Sequence, residues 1–506
     1  MEEKDWFKLK KYPHIGLPLE NKHRRKWIES YITNPQNIAM HSFLPFLHKV
    51  SKKRRYRKKY NDDGIQVTQG TDNKLKNRFK DIKPRELYYA SHLDSLIFSY
   101  YTKLLDKPYE KKLQQNYLDD VVTAYRRIPK NRYNAESANK CNIDFANDIF
   151  RLIRNYPEEI FTVITLDIKS FFDNLDHKLL LQMIMKVLNV SKLEKDFFNV
   201  YKNITRFSYV DIQDLFKEYS KEVICQKNYK SNNDIKEIKK KVTRIKYLKN
   251  QGAKAFCLQK DFVKNKKHLI KSHRYIKKDN QLVLRNFGIP QGSPISSLLA
   301  NIYLLEFDKG INDYVHSKGG YYKRYSDDMI VICKMSEAEK IEKLFYSEIQ
   351  KYKLEIQPQK TQKFIFQRSA DLLSCGQQFR NNINPHKNLI YLGFEFDGKK
   401  VLLKSASLAG YYRKMKKNIR RAKYYSRTHN KKIFKRRLYK KFTFRGARKY
   451  NIYRWDSTEQ KFKITKQQNW GNFLSYAKKS ANIMDNNGIK KQIKNHWKIF
   501  HKELNK

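Results

Sequence analysis

The sequence predicts an α+β fold, and three observations support this prediction. Residues 161–168 (FTVITLDI) form a short apolar run rich in β-branched residues, which is typical of a buried strand. Asp327 and Asp328 stand between strand-like segments, as in a hairpin. Apolar residues also recur at helical spacing before and after the first strand. The clearest helical patterns are at Leu93, Leu96, Ile97 and Tyr100, and across residues 177–190.

The composition indicates a large protein that binds a polyanion. The chain has 506 residues, 40% of them hydrophobic, so it can bury sizeable cores in roughly two to four domains. It carries 108 Lys and Arg against 50 Asp and Glu, a formal net charge of +58. Self-repulsion of this size disfavours an isolated compact protein, and nucleic acid is the leading partner to relieve it. An AT-rich genome is an alternative source of the lysines, but it leaves the low acidic content unexplained.

The cysteines and the termini predict a cytoplasmic protein without a membrane anchor. The five cysteines form no C-x-x-C pair, which argues against a zinc site and a disulfide framework and fits a reducing compartment. The charged start at Met1 lacks the apolar stretch of a secretory signal. No run approaches the ~18 apolar residues of a membrane span.

Shifts in composition divide the chain into four parts. Residues 1–80 predict a basic arm with short helices, and residues 51–60 (SKKRRYRKKY) are either a phosphate-contacting segment or a solvated one. Residues about 191–283 predict a Lys-rich insertion with helical spacing at 235–249, and its charge fits a nucleic-acid face or an oligomer contact. Residues 401–506 predict a basic, largely helical region.

The aspartates predict a metal-dependent site. Adjacent side chains of a strand point to opposite faces, so Asp327 and Asp328 cannot form a site alone. Asp167 ends the apolar run 161–168 and supplies a carboxylate from a second strand. Three such carboxylates form a hard oxygen site that suits Mg²⁺. Two ions in such a site can clamp the attacking and leaving oxygens of a phosphoryl transfer.

Four segments of the chain form a distinctive series, namely residues 165–177 (TLDIKSFFDNLDH), 287–308 (FGIPQGSPISSLLANIYLLEFD), 325–332 (YSDDMIVI) and 391–394 (YLGF). In this order and spacing they resemble the palm of reverse transcriptases. The resemblance is closest to bacterial ones of the group II intron, retron, abortive-infection and defence-associated "unknown group" kinds, and it covers roughly residues 80–400. Ser326 departs from the more usual Ala, Val, Met or Ile, but it is small.

The resemblance implies a right-hand polymerase and an RNA-directed DNA polymerase activity. Fingers would span residues 81–160, the palm 161–400 with the insertion inside it, and the thumb and C-terminal domain 401–506. Asp167 and Asp327 would bind the two Mg²⁺ ions, and Asp328 would act less directly. Phe172 would lie beneath the incoming sugar and exclude a 2′-hydroxyl, so the substrates would be dNTPs. The alternative for Phe172 is a core position, since only it or Phe171 can face the site.

The resemblance also implies residues that hold the nucleotide. Gln291 and Gly292 would form part of the pocket, although a tight helix–sheet contact explains the small residues after them nearly as well. Arg126 and Lys140 would contact the triphosphate. Lys360 would neutralise or protonate the departing pyrophosphate, and its alternative is a surface lysine.

Primer and template contacts are expected near the C-terminal end of the palm. Tyr391 and Gly393 would form a tight turn that supports the primer end. Tyr412 and Arg413 would begin a thumb helix that tracks the nucleic-acid backbone through charge and stacking. A core position for Tyr411 or Tyr412 is the alternative.

The biological role implied by the resemblance is antiphage defence with a dedicated noncoding RNA as template and DNA as product. The resemblance also admits self-assembly into a homo-oligomer. Alternatives are a retron-type or intron-type reverse transcriptase, a viral-type RNA polymerase, which Phe172 disfavours, and a non-catalytic RNA-binding protein, which the intact aspartate triad disfavours.

Overall fold

The structure is a computed structural model of the chain. It describes residues 5–506 except 58, 62–65, 68, 72–73, 77–78, 132–133, 135–136, 229–234, 266–267, 371, 381, 447, 457–459 and 485–486. The strands are β1 His14–Ile15, β2 Phe46–Val50, β3 Lys53–Arg57, β4 Lys59–Tyr60, β5 Gln66–Val67, β6 Gln69–Thr71, β7 Lys74–Lys76, β8 Phe79–Lys83, β9 Glu86–Tyr89, β10 Ile160–Asp167, β11 Ser208–Asp211, β12 Val223–Asn228, β13 Ile235–Lys240, β14 Ala253–Cys257, β15 Lys271–Ser272, β16 Tyr275–Lys278, β17 Gln281–Leu284, β18 Tyr321–Tyr325, β19 Asp328–Lys334, β20 Gln362–Ser369, β21 Leu372–Gln378, β22 Ile383–Asn384, β23 Leu389–Tyr391, β24 Phe394–Phe396, β25 Val401–Leu403, β26 Arg448–Asp456 and β27 Lys461–Trp470.

Helices surround these strands. The α-helices are α1 Glu29–Thr33, α2 Pro35–Ala39, α3 His92–Gln115, α4 Asn142–Arg154, α5 His177–Leu188, α6 Lys195–Thr205, α7 Ile212–Tyr219, α8 Gln259–Asn265, α9 Ser296–Tyr303, α10 Leu305–Ser317, α11 Ala338–Lys351, α12 Ser405–Thr428, α13 Lys435–Phe442, α14 Phe473–Ile483, α15 Asn487–Ile493 and α16 His496–Asn505.

A six-stranded sheet forms the centre of the molecule, in the order β18-β19-β10-β20-β21-β22. Each pair of neighbours in it is antiparallel. The predicted strand at 161–168 is its central strand β10, and the predicted Asp-Asp hairpin is β18–β19. Both predictions are confirmed, as is the helix expected over 177–190, which is α5.

Both faces of this sheet are buried, which explains the nearly continuous apolar runs in β10 and β19. Side chains alternate between the faces. Ile164 and Leu166 belong to one core, with α3, α5, α9, α10 and α11. Phe161 and Val163 belong to a second core, with α4 and helices of the C-terminal region. A strand covered on both sides needs apolar residues at every position.

The N-terminal segment folds together with the segment expected to be an insertion. Strand β1 pairs in parallel with β14, and β2 pairs in parallel with β11. These strands share a third core, which includes Ile15, Leu47, Val210 and Phe256. Residues far apart in sequence therefore form one unit. The side chains of residues 53–60, the basic run of the arm, lie outside the described part of the structure.

The helix expected from the spacing of residues 235–249 is wrong. Ile235–Lys240 is strand β13, which pairs with β12, and Ile245–Tyr247 is a single 3-10 turn. Apolar residues at helical spacing in a short segment do not exclude a strand, and here the neighbouring strand supplies the hydrogen bonds that decide the conformation.

The C-terminal region is largely helical, as expected. Its strands are β25 and the antiparallel hairpin that Arg448–Asp456 and Lys461–Trp470 form as β26 and β27. The small sheet β23-β24-β25 lies between the six-stranded sheet and α12, since β23 contacts β21 and β25 contacts α12. Within the described ranges, no helix is long and apolar enough to cross a membrane.

Candidate active site

The strand register brings two of the predicted aspartates together. Asp167 is the last residue of β10 and lies directly opposite Asp328, the first residue of β19. The backbone N–H of Ile168 donates to the Asp327 carbonyl oxygen at 3.1 Å, which extends this pairing into the hairpin turn. Apolar side chains hold both strands in the core up to this point. The three carboxylates therefore stand at one end of the sheet, where the strands leave the core.

A tight turn positions Asp327. Tyr325 pairs with Asp328, so only Ser326 and Asp327 form the loop. Ser326 has a φ of 61°, a left-handed conformation that costs a non-glycine residue free energy. Its hydroxyl is buried and donates to the hydroxyl of Tyr125 at 3.3 Å. A small, hydrogen-bonding residue suits this position, and a larger one would have to displace Tyr125.

A buried ion pair supports the turn from beneath. The guanidinium of Arg324 in β18 is fully buried and donates to both Asp308 carboxylate oxygens, at 2.6–3.0 Å. It also donates to the Asn301 side-chain oxygen at 3.1 Å and to the Ser326 carbonyl at 3.2 Å. Tyr322 donates its hydroxyl to Asp308 at 2.9 Å. Burial by itself would lower the pKa of Arg324, but the Asp308 carboxylate outweighs burial and holds this pKa above its ordinary value, so the guanidinium stays charged.

Sequence reasoning did not assign this ion pair a role. Two signals could have found it. Asp308 falls at helical spacing with the apolar Leu305 and Ile311 on the buried face of α10. Arg324 alternates with Tyr321 and Lys323 and so shares the buried face of β18. Buried charges require partners. The sequence alone does not reveal that these two are partners, because 16 positions separate them and the helix and strand meet only in the fold.

The aspartates repel one another. The Asp328 side chain is exposed at the strand end, but the protein atoms crowded around it limit its solvation and raise its pKa to about 7, and the charges of Asp327 and Asp167 raise it further. Lys360 and Lys404 act in the opposite direction. The ammonium group of Lys360 forms an ion pair with the Asp167 carboxylate. The site thus concentrates negative charge and already holds one cation.

The donor set fits a divalent cation in its chemistry. Among the described residues, no group of three or more His, Cys, Asp or Glu side chains could hold a metal ion as they stand. Asp167 and Asp328 nevertheless lie opposite each other, Asp327 is adjacent, and Lys360 neutralises part of their charge. Carboxylate oxygens are the ligands that Mg²⁺ prefers. The residues therefore fit the ion, provided that Asp167 releases Lys360.

Phe172 and its neighbour Phe171 have different environments. Phe171 is buried in the core, whereas Phe172 is half-buried at its edge. The backbone N–H of Ile289 donates to the Phe172 carbonyl at 2.9 Å. This bond joins the segment that follows Asp167 to the segment that contains Gln291. Phe172 is therefore the phenylalanine that is free to contact a ligand.

Gly292 lies against the backbone of β9. Its φ is 120°, and a Cβ at this position would stand 2.8 Å from the Tyr88 carbonyl oxygen. The Tyr88 N–H donates to the Gln291 carbonyl at 2.9 Å. A close approach within the protein thus requires the glycine, whether or not it also forms part of the expected nucleotide pocket. Gln291 is half-buried beside it.

The aspartate pair of the hairpin and the pocket segment lie within a recognisable domain. Residues 235–396 match the family described as reverse transcriptase (RNA-dependent DNA polymerase). The chain thus carries an RNA-directed DNA polymerase domain, and that predicted enzyme class is confirmed. With its mixed helices and sheet, the α+β right-hand polymerase fold is confirmed too.

Solved telomerase structures show a distant likeness. Telomerase from Candida tropicalis, truncated from its C-terminal domain, is 12% identical, with a TM-score of 0.36 over 76% of this chain and 59% of that one. Telomerase from Candida albicans in complex with a fragment of telomeric RNA is 12% identical, with a TM-score of 0.31 over 81% of this chain and 57% of that one. The chain thus spans less than two thirds of these telomerases. A search of curated proteins found no match.

Several predicted site residues lie outside the segment that matches the reverse transcriptase family. The matched segment contains Asp327, Asp328, Gln291, Gly292, Lys360, Tyr391 and Gly393. Asp167 and Phe172 precede it, but the β10–β19 register and the Ile289 bond bring them beside it.

The structure places the predicted triphosphate cations in ion pairs. The Arg126 side chain is only 3% exposed and pairs with Glu110 and Asp119. It also donates to the Asp119 and Val122 carbonyls at 2.6 Å. The N–H donors of Arg126 thus bond to other groups of the protein, which indicates a structural role for this side chain. Lys140 pairs with Asp148 at 2.9 Å but is less buried.

The predicted primer and template residues divide into buried and exposed ones. Tyr391 is buried in the second core, and burial and the charge of Asp328 raise its pKa. Gly393, with a φ of 92°, completes the two-residue turn between β23 and β24. Tyr412 is half-buried and Arg413 exposed at the start of α12. Tyr411 belongs to the core, where it donates its hydroxyl to the Phe442 carbonyl at 2.7 Å.

Proposed function

We propose that the chain is an RNA-directed DNA polymerase whose active centre consists of Asp167, Asp327 and Asp328. One observation carries the proposal, which is the register that sets Asp167 opposite Asp328 beside a segment matching reverse transcriptases. The concentration of negative charge at the end of a buried sheet has no structural benefit, since the aspartates repel one another. Such a cluster is stabilised when cations bind it.

Asp167 and Asp327 would hold two Mg²⁺ ions, with Asp328 in support. Bound ions would neutralise the triphosphate and make the primer hydroxyl a better nucleophile. The protein's own part is positioning. The Ser326 turn and the Arg324–Asp308 pair fix the hairpin, so that Asp327 needs little reorganisation during the reaction. Lys360, once it leaves Asp167, is placed to neutralise or protonate the departing pyrophosphate.

Phe172 and Gln291 would select and hold a dNTP. Phe172 is half-buried and lies near the strand end that bears Asp167, where its ring can exclude a 2′-hydroxyl by volume. Gln291 can donate and accept hydrogen bonds, with its backbone fixed to Tyr88. Lys140 is the better placed of the two predicted triphosphate cations, because its ammonium is partly exposed and holds a single carboxylate.

An RNA template and a DNA product would bind the basic surfaces of the chain. Tyr391 and Gly393 would support the primer end, and Tyr412 and Arg413 would follow the nucleic acid along α12. The net charge of +58 supports a polyanionic partner of this kind. We assign the fingers to residues 81–160, the palm to 161–400 and the thumb to 401–506.

The biological role that we propose is antiphage defence, in the cytoplasm, with a dedicated noncoding RNA as the template. The support is the resemblance of the sequence to defence-associated reverse transcriptases. A homo-oligomer is part of this proposal. A retron-type or intron-type enzyme is the alternative. Sequencing the RNA that copurifies with the protein separates them, because one abundant small RNA fits defence or a retron, whereas intron RNA identifies a maturase and overturns the defence role.

The activity itself is tested with purified protein, an RNA template annealed to a DNA primer, Mg²⁺ and labelled dNTPs. The wild type should extend the primer. Asp327→Ala should lower the rate on the order of a thousandfold while RNA binding stays nearly unchanged. Asp313→Ala is the matched control, because this exposed aspartate lies on α10, away from the carboxylate cluster. Extension by Asp327→Ala at the wild-type rate would refute the assignment.

A further inference from the structure

A cavity of about 600 Å³ lies in the C-terminal region, between the start of α12, helix α13 and the residues that precede α14. Its volume falls within the range of small-molecule sites. Four cationic side chains line it, those of Lys414, Arg437, Lys440 and Lys441. Among the described residues that line it, none is acidic. The cavity is separate from the aspartates, none of which lines it.

The cations of this cavity are crowded. Burial lowers the pKa of Lys441, and the charges of Lys414 and Arg437 lower it further. Within the described ranges, the Lys441 ammonium donates to the side-chain oxygen of Asn418, at a long 3.4 Å. In the part of the chain that the structure describes, neither Lys414 nor Arg437 forms an ion pair with a carboxylate. The exposed like charges of Lys414, Arg437 and Lys441 repel one another, and an anion bound between them would reduce this repulsion.

Aromatic rings form another wall. Tyr411 stacks on Phe473, with 4.6 Å between ring centroids and 15° between the ring planes. The Tyr411 hydroxyl donates to the Phe442 carbonyl at 2.7 Å, which joins α12 to the end of α13. The Asn472 side chain donates to the Thr443 carbonyl at 2.7 Å and caps α14. These bonds hold the wall in place without a ligand.

We propose that this cavity binds a nucleoside phosphate, either free or at the 5′ end of a nucleic-acid strand. The cations would contact the phosphate groups through charge-assisted hydrogen bonds. The exposed part of Phe473, stiffened by its stack on Tyr411, would contact the base. A nucleotide needs both features within one cavity, and this cavity combines them. The site goes beyond the proposed polymerase function, since binding here needs neither the aspartates nor Mg²⁺.

The test measures binding to full-length Asp327→Ala protein in EDTA, which removes metal-dependent binding at the palm. The probes are dATP and two fluorescent ten-residue oligothymidylates, one with a 5′-phosphate and one with a 5′-hydroxyl. Lys414→Gln with Arg437→Gln should weaken binding of the phosphorylated probe about tenfold or more. Lys417→Gln with Arg436→Gln removes equal charge from the same two helices at equally exposed positions that do not line the cavity, so it should change binding of this probe little.

A cavity-filling variant tests the site without any change of charge. A Cβ at Gly410 would meet no atom within 4 Å, so Gly410→Leu should fold normally and obstruct the cavity. It should weaken the same probe as strongly as the double variant. Tight binding of dATP identifies a free nucleotide as the ligand, and preference for the 5′-phosphate over the 5′-hydroxyl identifies a strand end. Equal binding of both oligonucleotides without dATP binding, or equal losses in the double variant and its control, would overturn the proposal.

Discussion

The buried pair of Arg324 and Asp308 offers the sharpest test of how the hairpin is held. Arg324→Met keeps much of the side-chain volume but leaves Asp308 without its cation. Three guanidinium–carboxylate contacts of 2.6–3.0 Å are lost in a fully buried site, as is the bond to the Ser326 carbonyl. Breaking a buried pair in this way costs about 3–5 kcal/mol of unfolding free energy.

This cost should depend on pH. Burial raises the pKa of Asp308, and Arg324 is the main group that opposes this. Without Arg324, the folded protein holds a proton on Asp308 that the unfolded chain releases more easily. Stability therefore increases as the pH falls, and the penalty of Arg324→Met should be smaller at pH 5 than at pH 8.

The assay is urea unfolding followed by circular dichroism, at both pH values, together with primer extension. The double variant Arg324→Met with Asp308→Leu removes both charges, so it should be clearly more stable than Arg324→Met alone. Its extension rate should remain low, because nothing then holds the Ser326 carbonyl. A loss below about 1 kcal/mol for Arg324→Met, or a double variant as unstable as the single one, would refute the reasoning.

Three further outcomes are expected. Phe172→Ala should raise the incorporation of NTPs relative to dNTPs about tenfold to a hundredfold, whereas Phe171→Ala should mainly destabilise the fold. Primer extension measures the ratio of NTP to dNTP incorporation, and an unchanged ratio in Phe172→Ala would contradict the role of this ring. His92 is buried with neither ring nitrogen hydrogen-bonded, and burial lowers its pKa to about 4 from an ordinary 6.5. As the pH falls from about 6.5 towards 4, this histidine is protonated in the unfolded chain before it is protonated in the folded protein, which destabilises the wild type. His92→Phe removes this effect, so its unfolding free energy relative to the wild type should be about 2 kcal/mol more favourable at pH 5 than at pH 8. Thermal unfolding at the two pH values measures this difference, and its absence would disprove the reasoning. Gly292→Ala should lower both the stability and the primer-extension rate, because its Cβ would meet the Tyr88 carbonyl. Gly310→Ala, where a Cβ meets open space, should instead stabilise α10 by about 0.5–1 kcal/mol. Equal effects of the two variants on stability would count against the close approach at Gly292.

The sequence predicted the central strands well because their signals are local. An apolar run that ends at Asp167 marked β10, an apolar run that begins after Asp328 marked β19, and the Asp-Asp pair marked the turn between β18 and β19. The helix expected at 235–249 was wrong because the conformation of that segment is not decided locally. It depends on pairing with the neighbouring strand β12. The role of Arg126 was equally hard to predict, because a strongly basic chain offers many candidate cations. Its ion pairs with Glu110 and Asp119, which only the structure reveals, indicate a structural role.

The sequence by itself determined the chemistry of this protein, namely three aspartates, a phenylalanine, a glutamine and a large excess of positive charge. Residue type, order and spacing are enough to indicate an enzyme that handles nucleotides. The tertiary structure decided which of these groups can act together. Antiparallel pairing places Asp167 opposite Asp328, although they lie far apart in the chain, and it leaves Phe172 rather than Phe171 free at the edge of the core. Charges and hydrogen bonds act over a few ångströms in space, so their partners emerge only when the chain has folded.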